Sequence, residues 1–283
     1  MVKIDGLTTI EAQSMLNGIT PSNILKQYNE TYLLSQEQMQ FYKNNGFIII
    51  KGVLSGSALA YTRKLIQSAV LIQKKDDERS LKDKTPYQQS FLQCGFLCWN
   101  FPAVKDYVFG KLFAGIARDL MKVDGVRLWH DQALFKEAGG RKTDVHQDSS
   151  YWPIKQPELT TTMWMALNEV PEEKGCLYFY PGSHKLPREY IDIFNNPHKP
   201  DFLNTGKTVI APLEAGDVTF HTGLTYHGAL ENKTKEMREG MTVIYFADGN
   251  RFDSTDARNA THKSCSELKH GDLINTIYTP LLV

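Results

Sequence analysis

The chain has no long hydrophobic run, no excess of either charge, few cysteines and no internal repeat. Each absence narrows the field. Its longest apolar stretches fall far short of the roughly 18 residues that cross a bilayer as a helix, so no membrane partner is expected. Lysine plus arginine and aspartate plus glutamate both number 32, a formal net charge of zero over 283 residues. That balance argues against nucleic acid or an anionic membrane surface as the main partner. The one charge cluster, KKDDERSLKDK (Lys74 to Lys84), mixes signs and reads as a solvated loop or helix end. Cys94, Cys98, Cys176 and Cys265 lack the clustering with histidines of a zinc site and read as reduced thiols of an intracellular protein. The start, MVKIDGLTTIEAQSMLNG, has neither the basic opening nor the apolar core of a signal peptide. A cytoplasmic protein is expected.

What is present divides by periodicity. The first third reads as mainly helical. Ser35 with Gln38 three residues later makes a capping box, and Gly46 is the stop signal. FIII (Phe47 to Ile50) then reads as a short buried strand. SALAYTRKLIQSAVLIQ has helical spacing, with Leu59, Leu65, Val70 and Leu71 facing inward. Pro102 suits the first turn of a helix through AVKDYVFGKLFAGIARDLM. From about Val126 the pattern changes to short aromatic and β-branched runs: VRLWHDQALFKEA, TTMWMALNEV, CLYFYP, TVIAPL, DVTFHT and MTVIYFAD. Gly139-Gly140, Gly175, Pro181-Gly182 and Gly216-Asp217 punctuate them. Such spacing predicts a mainly β sandwich or jelly roll flanked by N-terminal helices. The expected organisation is one domain over 1–283: helices to about 123, a β core over about 124–250, and a C-terminal extension over 251–283.

KTDVHQDSSYWP sets His146 and Asp148 two positions apart. On a strand both would project from one face, about 7 Å apart at the backbone. Two histidines and one carboxylate form the open three-ligand site of non-heme Fe(II) oxygenases. A third ligand would come from a distant strand, and GDVTFHTGLTYHGALEN offers two, His221 and His227. An isolated H-x-D pair arises often by chance, so the second region carries the weight. Arg238 follows His227 by 11 positions and opens REGMTVIYF. On a strand it shares a face with Gly240 and Thr242, which leave room beside a guanidinium suited to a buried carboxylate. Tyr151, Trp152 and Tyr226 lie close enough to line an apolar substrate pocket, or to be core.

HQDSSYWP, KGCLYFYPGSHK and HGALENKTKEMR, with QFYKNNGFIIIKGVLS and LWHDQALFKEAGG, resemble the phytanoyl-CoA dioxygenase (PhyH) family of Fe(II)/2-oxoglutarate oxygenases over about residues 35 to 250. The resemblance implies a double-stranded β-helix of the jelly-roll, cupin-like kind. It implies His146, Asp148 and His227 as iron ligands, and leaves His221 as a pocket or core histidine. It further implies Arg238 as the clamp for the distal carboxylate of 2-oxoglutarate, Trp164 as a wall of that pocket, and Gln132 and Gln147 as polar neighbours. His184 falls on a turn that closes over the sheet, and His130 near the pocket. The implied reaction consumes O2 and 2-oxoglutarate, releases succinate and CO2, and hydroxylates an unactivated C–H bond of a small-molecule substrate. Desaturation, cyclisation or epoxidation are alternative outcomes, and a non-catalytic metal-binding β-barrel is a rival. One departure and one retention matter. The family often carries a hydroxyl residue two positions after the distal histidine, where this chain has Ala229, which implies either a substitute donor such as Thr242 or Trp164 or weaker cosubstrate binding. Asp148 is retained, which disfavours halogenation.

Overall fold

The computed structural model describes residues 4, 6–204, 206–255 and 263–283. Helices come first: α1 (Thr9–Asn17), α2 (Ser22–Tyr28), α3 (Gln36–Asn45), α4 (Gly56–Gln73), α5 (Pro86–Ser90), α6 (Leu97–Asn100), α7 (Pro102–Val108) and α8 (Lys111–Met121). The capping box of α3 forms in both directions, Ser35 N–H to Gln38 Oε1 at 2.9 Å and Gln38 N–H to Ser35 Oγ at 3.2 Å. Gly46 ends it with φ of 79°, where a side chain would be strained and would meet His184 Nδ1 at 2.4 Å. On α4, Leu65, Val70 and Leu71 are buried, and Leu59 packs half-buried against the same core. The helix expected to run on from Pro102 breaks instead at Gly110. That residue passes so close to Tyr28 that a Cβ would lie 2.6 Å from its carbonyl oxygen. The Gly110 ψ of 141° leaves the helical region, so the chain turns there and restarts as α8.

The strands are β1 (Phe47–Ile50), β2 (Leu92–Gly95), β3 (Val126–Phe135), β4 (Thr143–His146), β5 (Thr160–Ala166), β6 (Leu177–Phe179), β7 (Val209–Ala211), β8 (Val218–Thr222), β9 (His227–Ala229) and β10 (Gly240–Ala247). They form two antiparallel sheets, six-stranded in the order β1-β8-β5-β10-β3-β2 and four-stranded in the order β4-β9-β6-β7. The β core expected over about 124–250 takes in two further strands. Both edge strands of the large sheet, β1 and β2, come from the helical third, where they pair the outer edges of β8 and β3.

Every residue of β5 and β10 is buried, so period-two alternation decides which layer each side chain enters. Met163, Met165, Met241, Val243 and Tyr245 join the core formed with α4, α7 and α8. The alternate positions, Thr162, Trp164 and Thr242, face the other way and line the cavity beside the small sheet. One face of the large sheet supplies stability and the other is left for chemistry. The C-terminal segment returns to β3, Val126 N–H donating to Val283 O at 3.0 Å. Residues 256–262 of the expected C-terminal extension lie outside the described residues.

Candidate active site

His146 and His227 stand opposite each other in the β4–β9 pair, as do Thr143 and Ala229. On β9 the two residues are two apart and share a face. On β4 they are three apart, which regular alternation would place on opposite faces. The register shifts between them, and this bulge turns both Thr143 and His146 into the cavity.

Asp148 is not on the strand. It opens a single 3-10 turn, Asp148–Tyr151, and so swings back toward the imidazole instead of standing two strand positions along. Its Oδ1 lies 3.4 Å from His146 Nε2 and 3.6 Å from His227 Nε2. The three groups offer ligand atoms all within 4.8 Å of one another. Both rings are aimed by backbone carbonyls, His146 Nδ1 at 2.8 Å from Asp144 O and His227 Nδ1 at 3.0 Å from Thr225 O. With Nδ1–H donating there, each Nε2 presents a lone pair to the common centre. Phe179 stacks on His227, centroids 6.0 Å apart, and fixes its far side. Asp148 Oδ2 is held from behind, accepting from Thr162 Oγ1 at 2.7 Å and facing His221 Nε2 at 3.2 Å. One carboxylate oxygen faces the centre and the other is anchored.

The charge state suits a cation. Burial alone would raise the Asp148 carboxyl, but His227 and the hydrogen bonds of His146 and His221 outweigh it and hold the group well below the usual carboxylate range. Burial, with His221 close by, pushes His227 well below the ordinary imidazole value and keeps it neutral. An anion beside a neutral imidazole is what a divalent transition metal requires of its ligands.

Arg238 is 1 % exposed and lines the same cavity. It has no carboxylate partner among the described residues. Its Nη1 donates to Gly175 O at 2.7 Å and Nη2 to Leu134 O at 3.3 Å, while Nε is buried without a partner. Burial pulls the guanidinium down to about 10, still a cation at neutral pH. Trp164 covers it at 5.3 Å, and the Trp164 Nε1 donor is likewise unpartnered. Gly240 makes the stacking possible, since a Cβ there would lie 2.2 Å from Trp164 Cζ2. A buried, unpaired cation beside orphaned donors is costly unless an anion arrives.

Of the remaining expected residues, Gln132, Thr242, Tyr151, Trp152 and His130 line the cavity. Gln132 accepts from Gln93, and Thr242 already donates its proton to Gln132 O at 2.8 Å. Gln147 and Tyr226 do not reach the cavity. Gln147 is fully buried and donates to Leu224 O at 2.6 Å, and Tyr226 is core, its hydroxyl donating to Pro187 O at 2.9 Å. His221 does line the cavity, facing Asp148, and His184 sits on the turn against α3, Nε2 at 3.2 Å from Lys43 O. Thr162, Thr143 and Lys136 were not singled out from sequence. Thr162 is one of three consecutive threonines with no local mark, and the bulge hides Thr143 from any alternation rule.

Two antiparallel sheets enclosing two imidazoles, a carboxylate and a buried guanidinium define a jelly-roll oxygenase. The model of the phytanoyl-CoA dioxygenase (PhyH) family matches residues 42–240, and the chain belongs to that family. Peroxisomal phytanoyl-CoA dioxygenase of Bos taurus is 26 % identical over 251 residues, covering 78 % of this chain and 71 % of the relative. Among solved structures, the non-heme alpha ketoglutarate dependent carbocyclase SnoK from nogalamycin biosynthesis superposes with a TM-score of 0.74 at 27 % identity, over 88 % of this chain and 97 % of its own. The epimerase SnoN, solved with Fe3+, alpha ketoglutarate and nogalamycin RO, shares the fold with a TM-score of 0.71 at 24 % identity, over 88 % of this chain and 98 % of its own. Among the described residues, no helix is long and apolar enough to cross a membrane.

Proposed function

We propose that the protein is an Fe(II)- and 2-oxoglutarate-dependent dioxygenase that hydroxylates an unactivated C–H bond of a small metabolite or natural-product intermediate. One observation carries this: three ligand atoms within 4.8 Å of one another share a cavity with a buried guanidinium that has no carboxylate partner among the described residues. The residues fit both groups. His146, Asp148 and His227 hold the metal from one side, and Arg238 takes the distal carboxylate of 2-oxoglutarate. Bound together, iron and 2-oxoglutarate supply with O2 the oxidising power for the reaction, one oxygen atom entering the product and the other leaving in succinate alongside CO2.

The chain's own part is placement. Thr162 and His221 keep Asp148 turned to the metal, Trp164 fixes the plane of Arg238, and the sheets exclude bulk water. The cavity has a volume of about 470 Å³ and an aromatic mouth that includes Tyr87, Phe91, Phe96, Tyr151, Trp152 and Phe194. Arg238 is the one lysine or arginine among its lining residues, which favours an uncharged, partly flat substrate over an acyl-CoA with its phosphates. Strands β1 and β2, contributed by the helical third, support a single domain over 1–283, and the buried free thiols of all four cysteines support a cytoplasmic setting.

A second outcome, ring closure with the same cofactors, is favoured by the 27 % identity to a carbocyclase. Mass spectrometry of a small-molecule panel incubated with protein, Fe(II), 2-oxoglutarate and O2 separates the two, as a gain of one oxygen or a loss of two hydrogens. His146→Ala and His227→Ala should each abolish turnover with the chain still folded. If anaerobic Fe(II) plus 2-oxoglutarate gives no visible absorption band and no succinate forms in air, the proposal fails.

A further inference from the structure

Arg238 is not the only buried basic side chain without a carboxylate partner among the described residues. Lys136 is fully buried, and it pairs directly across from Arg238 in an antiparallel bridge, Lys136 N–H to Arg238 O at 2.8 Å and Arg238 N–H to Lys136 O at 2.9 Å. Directly opposed residues put their side chains on the same side. Neither has a carboxylate partner among the described residues. Lys136 Nζ donates to the Arg141 carbonyl and approaches Thr143 Oγ1 at 3.5 Å. A hydroxyl that accepts from the Lys136 amine keeps its own proton for another acceptor. Thr143 is 7 % exposed, and among the described residues its hydroxyl proton has no acceptor.

Position decides where that proton points. Ala229 is the place at which a hydroxyl beside the arginine is absent, and Thr143 is its direct cross-strand partner. Both line the cavity with Arg238. The β4 bulge that brings His146 inward brings Thr143 with it, so metal ligand and hydroxyl are placed by one backbone feature. Thr242 cannot serve in the same way, since its proton is already given to Gln132 O.

We propose that Thr143, oriented by Lys136, is the hydroxyl donor that completes the Arg238 clamp for the distal carboxylate of 2-oxoglutarate, replacing across the strand pair the hydroxyl missing at Ala229. This rests on the cofactor assignment made above. Arg238 and the Thr143 hydroxyl meet there on one carboxylate, which gives selectivity for a dicarboxylic 2-oxo acid over a monocarboxylic one.

The test is calorimetric titration of the Mn(II)-loaded protein with 2-oxoglutarate and with 2-oxobutyrate, which lacks the distal carboxylate. Thr143→Val should weaken 2-oxoglutarate binding by about ten-fold or more, the loss of one charge-assisted hydrogen bond. Binding of 2-oxobutyrate should change by less than about two-fold, since the bond in question is made only to the distal carboxylate. Thr143→Ser should bind like wild type, and adding Ala229→Ser to Thr143→Val should restore most of the loss. Wild-type 2-oxoglutarate affinity in Thr143→Val, or an equal loss for both acids, overturns the assignment of Thr143. Failure of the wild-type protein to bind 2-oxoglutarate at all overturns the cofactor assignment itself.

Discussion

Thr162 and His221 stand opposite each other on β5 and β8, and both reach the same atom, Oδ2 of Asp148, at 2.7 and 3.2 Å. The pair leaves Oδ1 as the only carboxylate oxygen turned toward His146 and His227. Thr162→Val removes one of the two anchors without touching a ligand. Metal affinity should fall by about 10- to 100-fold, the usual cost of losing an outer partner of a metal ligand. Titration with Mn(II) measures this, and an unchanged affinity would show that Oδ2 needs no anchor.

Arg238→Ala should weaken 2-oxoglutarate binding by roughly 10- to 100-fold, through loss of a charge-assisted bond of about 1.5–3 kcal/mol. Arg238→Lys should recover only part, because a point charge cannot reproduce a planar fork. Thermal or urea unfolding reads the same difference. At 100 times the wild-type Kd, 2-oxoglutarate stabilises the wild-type protein by about 2.7 kcal/mol and the Ala variant by about 0.4–1.4 kcal/mol. Equal stabilisation of both proteins would remove Arg238 from the site.

Gly240→Ala separates the two halves of the site. The new methyl would press on Trp164 and through it on Arg238, with a stability loss of about 1–3 kcal/mol from overpacking. Weaker 2-oxoglutarate binding with Mn(II) affinity unchanged is the expected result. Equal loss of both would mean that the Trp164–Arg238 wall and the metal ligands form one unit.

Asp131 supplies a pH dependence remote from the metal. It is fully buried on β3 and accepts from the Leu97 N–H at 2.9 Å and the Cys98 N–H at 3.3 Å, capping α6. Burial outweighs these bonds and raises its carboxyl to about 6. Between roughly pH 4 and 6 the folded protein holds a proton that the unfolded chain has released, so this group's contribution falls as pH rises through that window. Asp131→Asn lacks the titration. Its stability relative to wild type should therefore improve from pH 4 to 6, by on the order of 2–3 kcal/mol. Parallel urea midpoints for the two proteins across that range would contradict it.

Local signals in the sequence carried far. The Ser35–Gln38 box and Gly46 fix α3 within a dozen residues, and the β-branched and aromatic runs mark β3, β5, β8 and β10. What escaped was decided at long range. LQCG is too short and too polar to announce β2, and only the open edge of β3 makes it a strand. The break between α7 and α8 falls at Gly110, where Tyr28, far away in sequence, leaves no room for a side chain. In the site, His146 and Asp148 were visible as a pair, but their geometry depends on a 3-10 turn that strand periodicity does not describe. His221 and His227 could not be told apart by spacing. They sit on successive strands with rings 4.2 Å apart, one facing the oxygen that the other does not.

The closure of the large sheet by β1 has a consequence for biosynthesis. Phe47 pairs with His221, so β1 waits for its partner while more than half of the chain is still being translated. At roughly 5–20 residues per second the apolar FIII segment remains unpaired for on the order of ten seconds. His146 and Asp148 wait in the same way for His227. A nascent chain therefore presents a strand with high aggregation propensity and two of the three proposed metal ligands, and metal binding is expected only once His227 has left the ribosome. Ribosome-arrested chains ending before His227 should bind Mn(II) no better than chains carrying His146→Ala, and tight binding by such chains would show that the site does not need its last strand.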